Sequence, residues 1–163
     1  MCGIIGYTGA QPALSRVIDG LRRLEYRGYD SAGVALATSP GIPLIVEKRA
    51  GKLSNLESVL TSDFTEAKSG IGHTRWATHG GPTDTNAHPH VDKQAKLAVI
   101  HNGIIENYSH LRRELESHGY VFASETDTEC IAQLLAYLDT GDLVKTLRLV
   151  IEKLTGTFGL AVM

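Results

Sequence analysis

MCGIIGYTG, residues 1–9, puts a cysteine directly behind the initiator methionine and at the head of an apolar, glycine-punctuated run. Read as structure, Gly3 to Tyr7 is a short buried strand between glycines, and Cys2 is a small residue at its edge. Read as chemistry, Cys2 becomes the chain terminus once a methionine aminopeptidase removes Met1. The terminal residue then carries a thiol and a free α-amine together. An α-amine has a reference pKa of about 7.7–8.0 and serves as a base near neutral pH. A thiol is already partly ionised there and strongly nucleophilic. One residue would supply both nucleophile and base.

The remaining chain sets the context. Its 163 residues suggest one domain able to bury a real core. Lys and Arg number 16 against 18 Asp and Glu, so the charge gives no reason to expect nucleic acid or an anionic membrane as partner. No apolar run approaches the roughly 20 residues of a membrane span, and no basic-then-apolar leader opens the chain. Two cysteines, Cys2 and Cys130, make neither a disulfide framework nor a thiolate zinc cage. A cytoplasmic protein with reduced thiols is expected, with Cys130 part of the core.

The pattern after the first strand is mixed. Pro12 opens a helix marked by Leu14, Val17, Ile18, Leu21 and Leu24 and closed near Gly28. Ser31 to Thr38 and Leu44 to Lys48 read as strands joined by Ser39-Pro40-Gly41. Ser54-Asn55-Leu56-Glu57 has capping-box form and predicts a helix start. A strand over Gly70 to Arg75 leads into WATHGGPTDTNAHPHVD (76–92), a loop long enough to suggest function. Leu97 to His101 reads as a strand ending on Asn102-Gly103, and Tyr108 to His118 as a helix. Tyr120 to Phe122 reads as a short strand, and Thr126-Asp127-Thr128-Glu129 as a second capping box opening a helix to about Asp139. Leu143, Leu147, Val150, Ile151 and Leu154 mark a last helix before TFGLAVM, which reads as a buried strand with no turn or cap after it. The clustering favours a layered α+β fold over a regular βαβ array, and the abrupt end suggests a piece of a longer chain.

Acyl chemistry at Cys2 needs donors aimed at a developing oxyanion. HNGIIEN places the Asn102 amide and the Gly103 N–H just after a strand, although Asn-Gly taken alone reads better as a turn. HTRWATHG places Arg75, Trp76, Thr78 and His79 in sequence, and an arginine grips a carboxylate in bidentate fashion. Asp127 suits a cationic amine, or simply the positive end of a helix. Together Arg75 and Asp127 fit an α-amino acid.

MCGIIGY, LEYRGYDSAG, IGHTRWATHGGPT, NAHPH, HNGIIENY and SETDTE resemble, across the whole chain, the glutaminase domain of glutamine–fructose-6-phosphate aminotransferases, which are class II glutamine amidotransferases. The HTRWATHG and LEYRGYDSAG stretches look like the glucosamine-forming enzymes rather than the amidophosphoribosyltransferases or asparagine synthetases. The resemblance implies an N-terminal-nucleophile hydrolase fold, an αββα sandwich of two antiparallel sheets, here incomplete at its C-terminal side over residues 1–163 and without the sugar-isomerase region. It implies L-glutamine as substrate, no cofactor and no metal. Fructose 6-phosphate would enter only through the absent region, and the full-length enzyme would be a homo-oligomer. By the same resemblance Cys2 is the nucleophile, and Asn102 and Gly103 form the oxyanion hole. Arg75 binds the substrate carboxylate with Thr78 and His79, while Asp127 and the Gly103 carbonyl take its amine. Arg27 positions the nucleophile's surroundings, and Trp76 sits on the loop that closes over glutamine.

Three rivals remain open. His88 and His90 with Asp84 and Asp92 have metal-ligand chemistry, but their spacing matches no helical or hairpin metal pattern. A Cys–His thiol hydrolase using His73, His79 or His101 needs no free amine. A glutaminase-like module blocked by retained Met1 would bind without turnover.

Overall fold

The computed structural model describes residues 1–61, 64 and 66–163. Two antiparallel sheets stack face to face, each covered by helices on its outer side. The first contains β1 (Gly3–Thr8), β2 (Ser31–Ala37), β3 (Ile45–Ala50) and β4 (Ser69–Arg75), in the order β1-β4-β2-β3. The second contains β5 (His90–Val91), β6 (Ala98–Ile105) and β7 (Gly156–Val162), in the order β5-β6-β7. Helices α1 (Ala13–Leu24) and α2 (Leu53–Glu57) lie on the first sheet. Helices α3 (Tyr108–Ser117), α4 (Asp127–Tyr137) and α5 (Leu143–Lys153) lie on the second. The fold is the α+β sandwich expected from the sequence.

Period-two alternation decides which side chains meet between the sheets. In β2, Ala32 and Val34 face α1 and α2, whereas Ala35 joins Ile71 of β4 and Ala98 and Ile100 of β6 in the inter-sheet core. The same parity sends Cys2 with Ile4, His73 and Arg75 with Ile71, and Asn102 with Ile100 toward that space. Sequence parity thus brings Cys2, Arg75 and Asn102 to one end of the sandwich. Gly33 shares this face, and a Cβ there would lie 2.2 Å from the His88 carbonyl oxygen, so its absence lets the 85–90 segment press onto the sheet.

Helix α4 shows why SETDTE starts where it does. The Thr126 hydroxyl accepts from the Glu129 N–H at 3.3 Å, as a capping box requires. The reciprocal half departs from the motif, because the Glu129 carboxylate takes the N–H groups of Ala123 (2.8 Å) and Ser124 (2.6 Å). Those bonds also explain why Tyr120–Phe122 is no strand. Its backbone is a strap held by the Glu129 carboxylate at one end and by Tyr120 N–H to Leu115 C=O (3.0 Å) at the other. Ser54 does not cap α2. Gly51, at φ +90°, turns the chain earlier, Asn55 Nδ2 holds the Ala50 carbonyl at 3.0 Å, and Lys52 occupies the cap. Strand β6 does not stop at Asn102, since β7 pairs with it from Val99↔Val162 through Ile105↔Gly156. No helix among the described residues is long and apolar enough to cross a membrane.

Candidate active site

The Cys2 thiol lies over the Trp76 peptide: Trp76 N–H donates to Sγ at 3.2 Å, and Sγ lies 3.7 Å from the Trp76 carbonyl. The Met1 ammonium, on an exposed residue, donates to the carbonyls of Arg27 (3.0 Å) and Gly28 (2.9 Å). Arg27 adds its guanidinium against Met1 Sδ at 3.5 Å, so it touches the residue that precedes Cys2.

A cavity of about 210 Å³ opens beside the thiol, below the roughly 300–1,000 Å³ typical of drug-sized ligands and suited to an amino acid. Cys2, Arg75, Trp76, Thr78, Gly103 and Asp127 of the expected set line it. Arg27, His79 and Asn102 are not among its lining residues. A larger hollow of about 1120 Å³, bordered by Lys48, His90 and Glu129, has no cysteine in its lining. The smaller cavity is the one that brings the Cys2 thiol together with Arg75 and Asp127.

Arg75 is only 3% exposed. Its guanidinium donates to the carbonyls of His79, Gly80 (3.4 Å) and Gly81 (3.3 Å), fastening the loop that follows β4. Burial lowers its pKa, while Asp30, Cys2 and Asp127 pull the other way. Asp30 holds the same loop from the opposite side, accepting Ala77 N–H at 2.6 Å. His79 meets Arg75 through its backbone carbonyl rather than its ring, which stands 4.0 Å from Asp127 and edge-on to Tyr108. Asp127, the first residue of α4, accepts Ile105 N–H at 2.9 Å, tying the helix start to the end of β6.

Gly103 has φ +126°, and a Cβ there would come within 2.1 Å of the Thr157 carbonyl oxygen. Only glycine fits this strand position. Asn102 extends into the inter-sheet space, where Oδ1 lies 2.8 Å from His73 Nε2 and Nδ2 donates to the Cys2 carbonyl at 3.5 Å.

Four lining residues lie outside the expected glutamine-binding set: His88 and His101, which the sequence offered only for the rival readings, and Ile104 and Thr128, which it did not offer at all. The His101 ring bonds Thr128 Oγ1 at 2.9 Å. Period two from Gly103 and Asp127's position at a helix start were the signals for this pair. The His73 and His88 rings stack at 4.5 Å, and His88 meets His90 edge-on at 5.0 Å. Burial pushes His73 down to about 4, against the pull of the Asn102 bond, with His101 and Arg75 lowering it further. Burial likewise drives His88 and His90 well down, helped respectively by His73 and by Lys48. Among the described residues, no histidine ring hydrogen-bonds the Cys2 thiol, and no group of acidic, histidine or cysteine side chains has metal-site geometry.

Comparison with known proteins shows what the chain is similar to. The family model described as "Glutamine amidotransferase domain" matches residues 73–163, more than half of the chain. Glutamine–fructose-6-phosphate aminotransferases (isomerizing) of Symbiobacterium thermophilum and Aquifex aeolicus are 57% and 56% identical to it. Each comparison covers 99% of this chain, but the chain spans only about a quarter of those relatives, 26% and 27% of their lengths. Among solved structures, glutamine phosphoribosylpyrophosphate amidotransferase from B. subtilis, complexed with ADP and GMP, superposes with a TM-score of 0.83 at 26% identity. That match covers all of this chain and 35% of the other. The identities separate the two groups in the direction that HTRWATHG and LEYRGYDSAG indicate, and the chain belongs to the glutamine amidotransferase domain family.

Proposed function

We propose that the chain is the glutaminase part of a glutamine–fructose-6-phosphate aminotransferase, hydrolysing the side-chain amide of L-glutamine to glutamate and ammonia. The observation that carries this reading is the cavity that gathers the residue-2 thiol, Arg75 and Asp127 within one amino-acid-sized space. Removal of Met1 frees the Cys2 amine. That amine takes the thiol proton, directly or through a water, and the thiolate attacks the amide carbon. The tetrahedral oxyanion falls to Asn102 Nδ2 and the Gly103 N–H, donors of the type worth about 10²–10³ in rate. The proton passes to the amide nitrogen, the C–N bond breaks, and ammonia leaves a γ-glutamyl thioester. Water then attacks the thioester, releasing glutamate and restoring the thiol.

On this reading Arg75, with Thr78 and His79, holds the substrate carboxylate, and Asp127 with the Gly103 carbonyl holds the amine. Arg27 positions the surroundings of Cys2, and Trp76, 55% exposed, covers the substrate. Residues 1–163 supply ammonia, and a sugar-isomerase region of the full-length protein uses it to convert fructose 6-phosphate to glucosamine 6-phosphate. The enzyme is cytoplasmic and works as a homo-oligomer.

Intact mass before and after exposure to an electrophilic glutamine analogue, with peptide mapping, tests the reading. Loss of Met1 and a single adduct on Cys2 are expected, with no adduct in Cys2→Ala. An adduct on Cys2 with Met1 still attached would instead favour a Cys–His thiol hydrolase. No adduct on a processed chain would overturn the glutaminase assignment.

A further inference from the structure

Asn102 can serve as an oxyanion donor only if its amide presents nitrogen, not oxygen, toward the cavity. Two contacts bear on that choice. On one side the His73 Nε2 lies 2.8 Å from Oδ1, and on the other the Cys2 carbonyl lies 3.5 Å from Nδ2. A flipped amide would set Oδ1 against the Cys2 carbonyl oxygen, two acceptors facing each other. His73 is fully buried, stacks on His88, and belongs to β4 in the opposite sheet, where Arg75 lies two residues on.

We propose that His73 is a positioning residue for the oxyanion hole: a neutral ring carrying its proton on Nε2 donates to Asn102 Oδ1 and so aims Nδ2 at the reacting carbonyl. The inference rests on the glutaminase reading above. It also places the aiming group on a different sheet from the group aimed, so packing of the two sheets sets the donor's direction. His73 neither touches the substrate nor takes a proton from Cys2.

The test measures glutamine hydrolysis by the full-length protein carrying His73→Phe, His73→Gln, Asn102→Ala and the His73→Phe/Asn102→Ala pair. His73→Phe should lower kcat about ten- to hundredfold with little change in KM, as a misaimed donor does. His73→Gln, whose amide nitrogen reaches the same place, should restore most of the rate. In the Asn102→Ala background the second change should cost nothing further, because the group being aimed is gone. Alkylation of Cys2 by iodoacetamide, which builds no oxyanion, should proceed at the parental rate in every variant. Additive losses in the pair, a rise in KM instead of a fall in kcat, or a slowed alkylation would each overturn the proposal. If Asn102→Ala itself leaves kcat unchanged, the oxyanion assignment falls, whereas a normal His73→Phe beside a slow Asn102→Ala removes only the role of His73.

Discussion

Lowering the pH from 8 to 5 should destabilise this domain before its carboxylates titrate, and the cause is the buried histidine stack. His73, His88 and His90 are nearly inaccessible, and burial holds all three rings neutral at pH values where unfolded histidine is charged. Below about pH 6.5 the unfolded chain binds protons that the native chain refuses, so stability present at neutral pH is lost as pH falls. For His73, held at about 4, the loss is about 2 kcal/mol by pH 5 and about 3.4 kcal/mol once both states are protonated, because each pH unit separating the folded and unfolded values is worth about 1.36 kcal/mol. Burial drives His88 and His90 in the same direction, so they steepen the dependence further. A domain typically has about 5–15 kcal/mol in total. Urea titrations followed by circular dichroism at pH steps from 8 to 5 would measure the slope. His88→Gln, whatever its own cost in stability, should make that slope shallower, because one ring that the folded chain keeps neutral is gone. A stability that stays flat from pH 7.5 to 5.5, or a slope that His88→Gln leaves unchanged, would refute the reasoning.

Two substitutions address the site itself. Gly103→Ala forces a Cβ to within 2.1 Å of the Thr157 carbonyl at a φ of +126°, and strain of this kind costs about 1–3 kcal/mol or more. Its melting temperature should fall by about 2–4 °C for each kcal/mol, and an unchanged value in calorimetry would show that β6 and β7 part more readily than their pairing implies. Asp127→Asn keeps an acceptor for the Ile105 N–H but removes the charge that the proposed function sets against the substrate amine. KM for glutamine should rise about ten- to hundredfold, the worth of a charge-assisted hydrogen bond, with kcat little altered. An unchanged KM in steady-state assays would move amine recognition elsewhere.

The sequence carried most of the strands and helices because their apolar periods are clean. Val17, Ile18 and Leu21 mark α1 at helical spacing, and GIIGY marks β1 between glycines. Cys2, Arg75, Gly103 and Asp127 were legible as a candidate set because each sits at a place with its own local signature: a chain start, a strand end, an Asn-Gly pair, a helix start. What stayed hidden depends on partners distant in sequence. Strand β6 runs on past Asn102 only because β7, more than fifty residues later, pairs along its full length. Tyr120–Phe122 has strand-like composition, but the Glu129 carboxylate claims the N–H groups that follow it. The His73–Asn102 bond joins two sheets, and no spacing rule within either strand reveals it.

The split of the site between paired strands and one fastened loop governs where change is tolerated. His73 and Arg75 stand on a strand flanked on both sides, and Asn102 on a strand locked in register with β7. A single-residue insertion there turns every later side chain to the opposite face, taking the thiol's partners out of the cavity at one stroke. The segment from Trp76 to Asn86 meets no such rule, since Arg75, Asp30 and Glu125 hold it by a few hydrogen bonds at separate points. Descendants of this domain that acquired a new amide substrate or a new ammonia acceptor would record that history in residues 76–86, while the strands beneath stayed the same length.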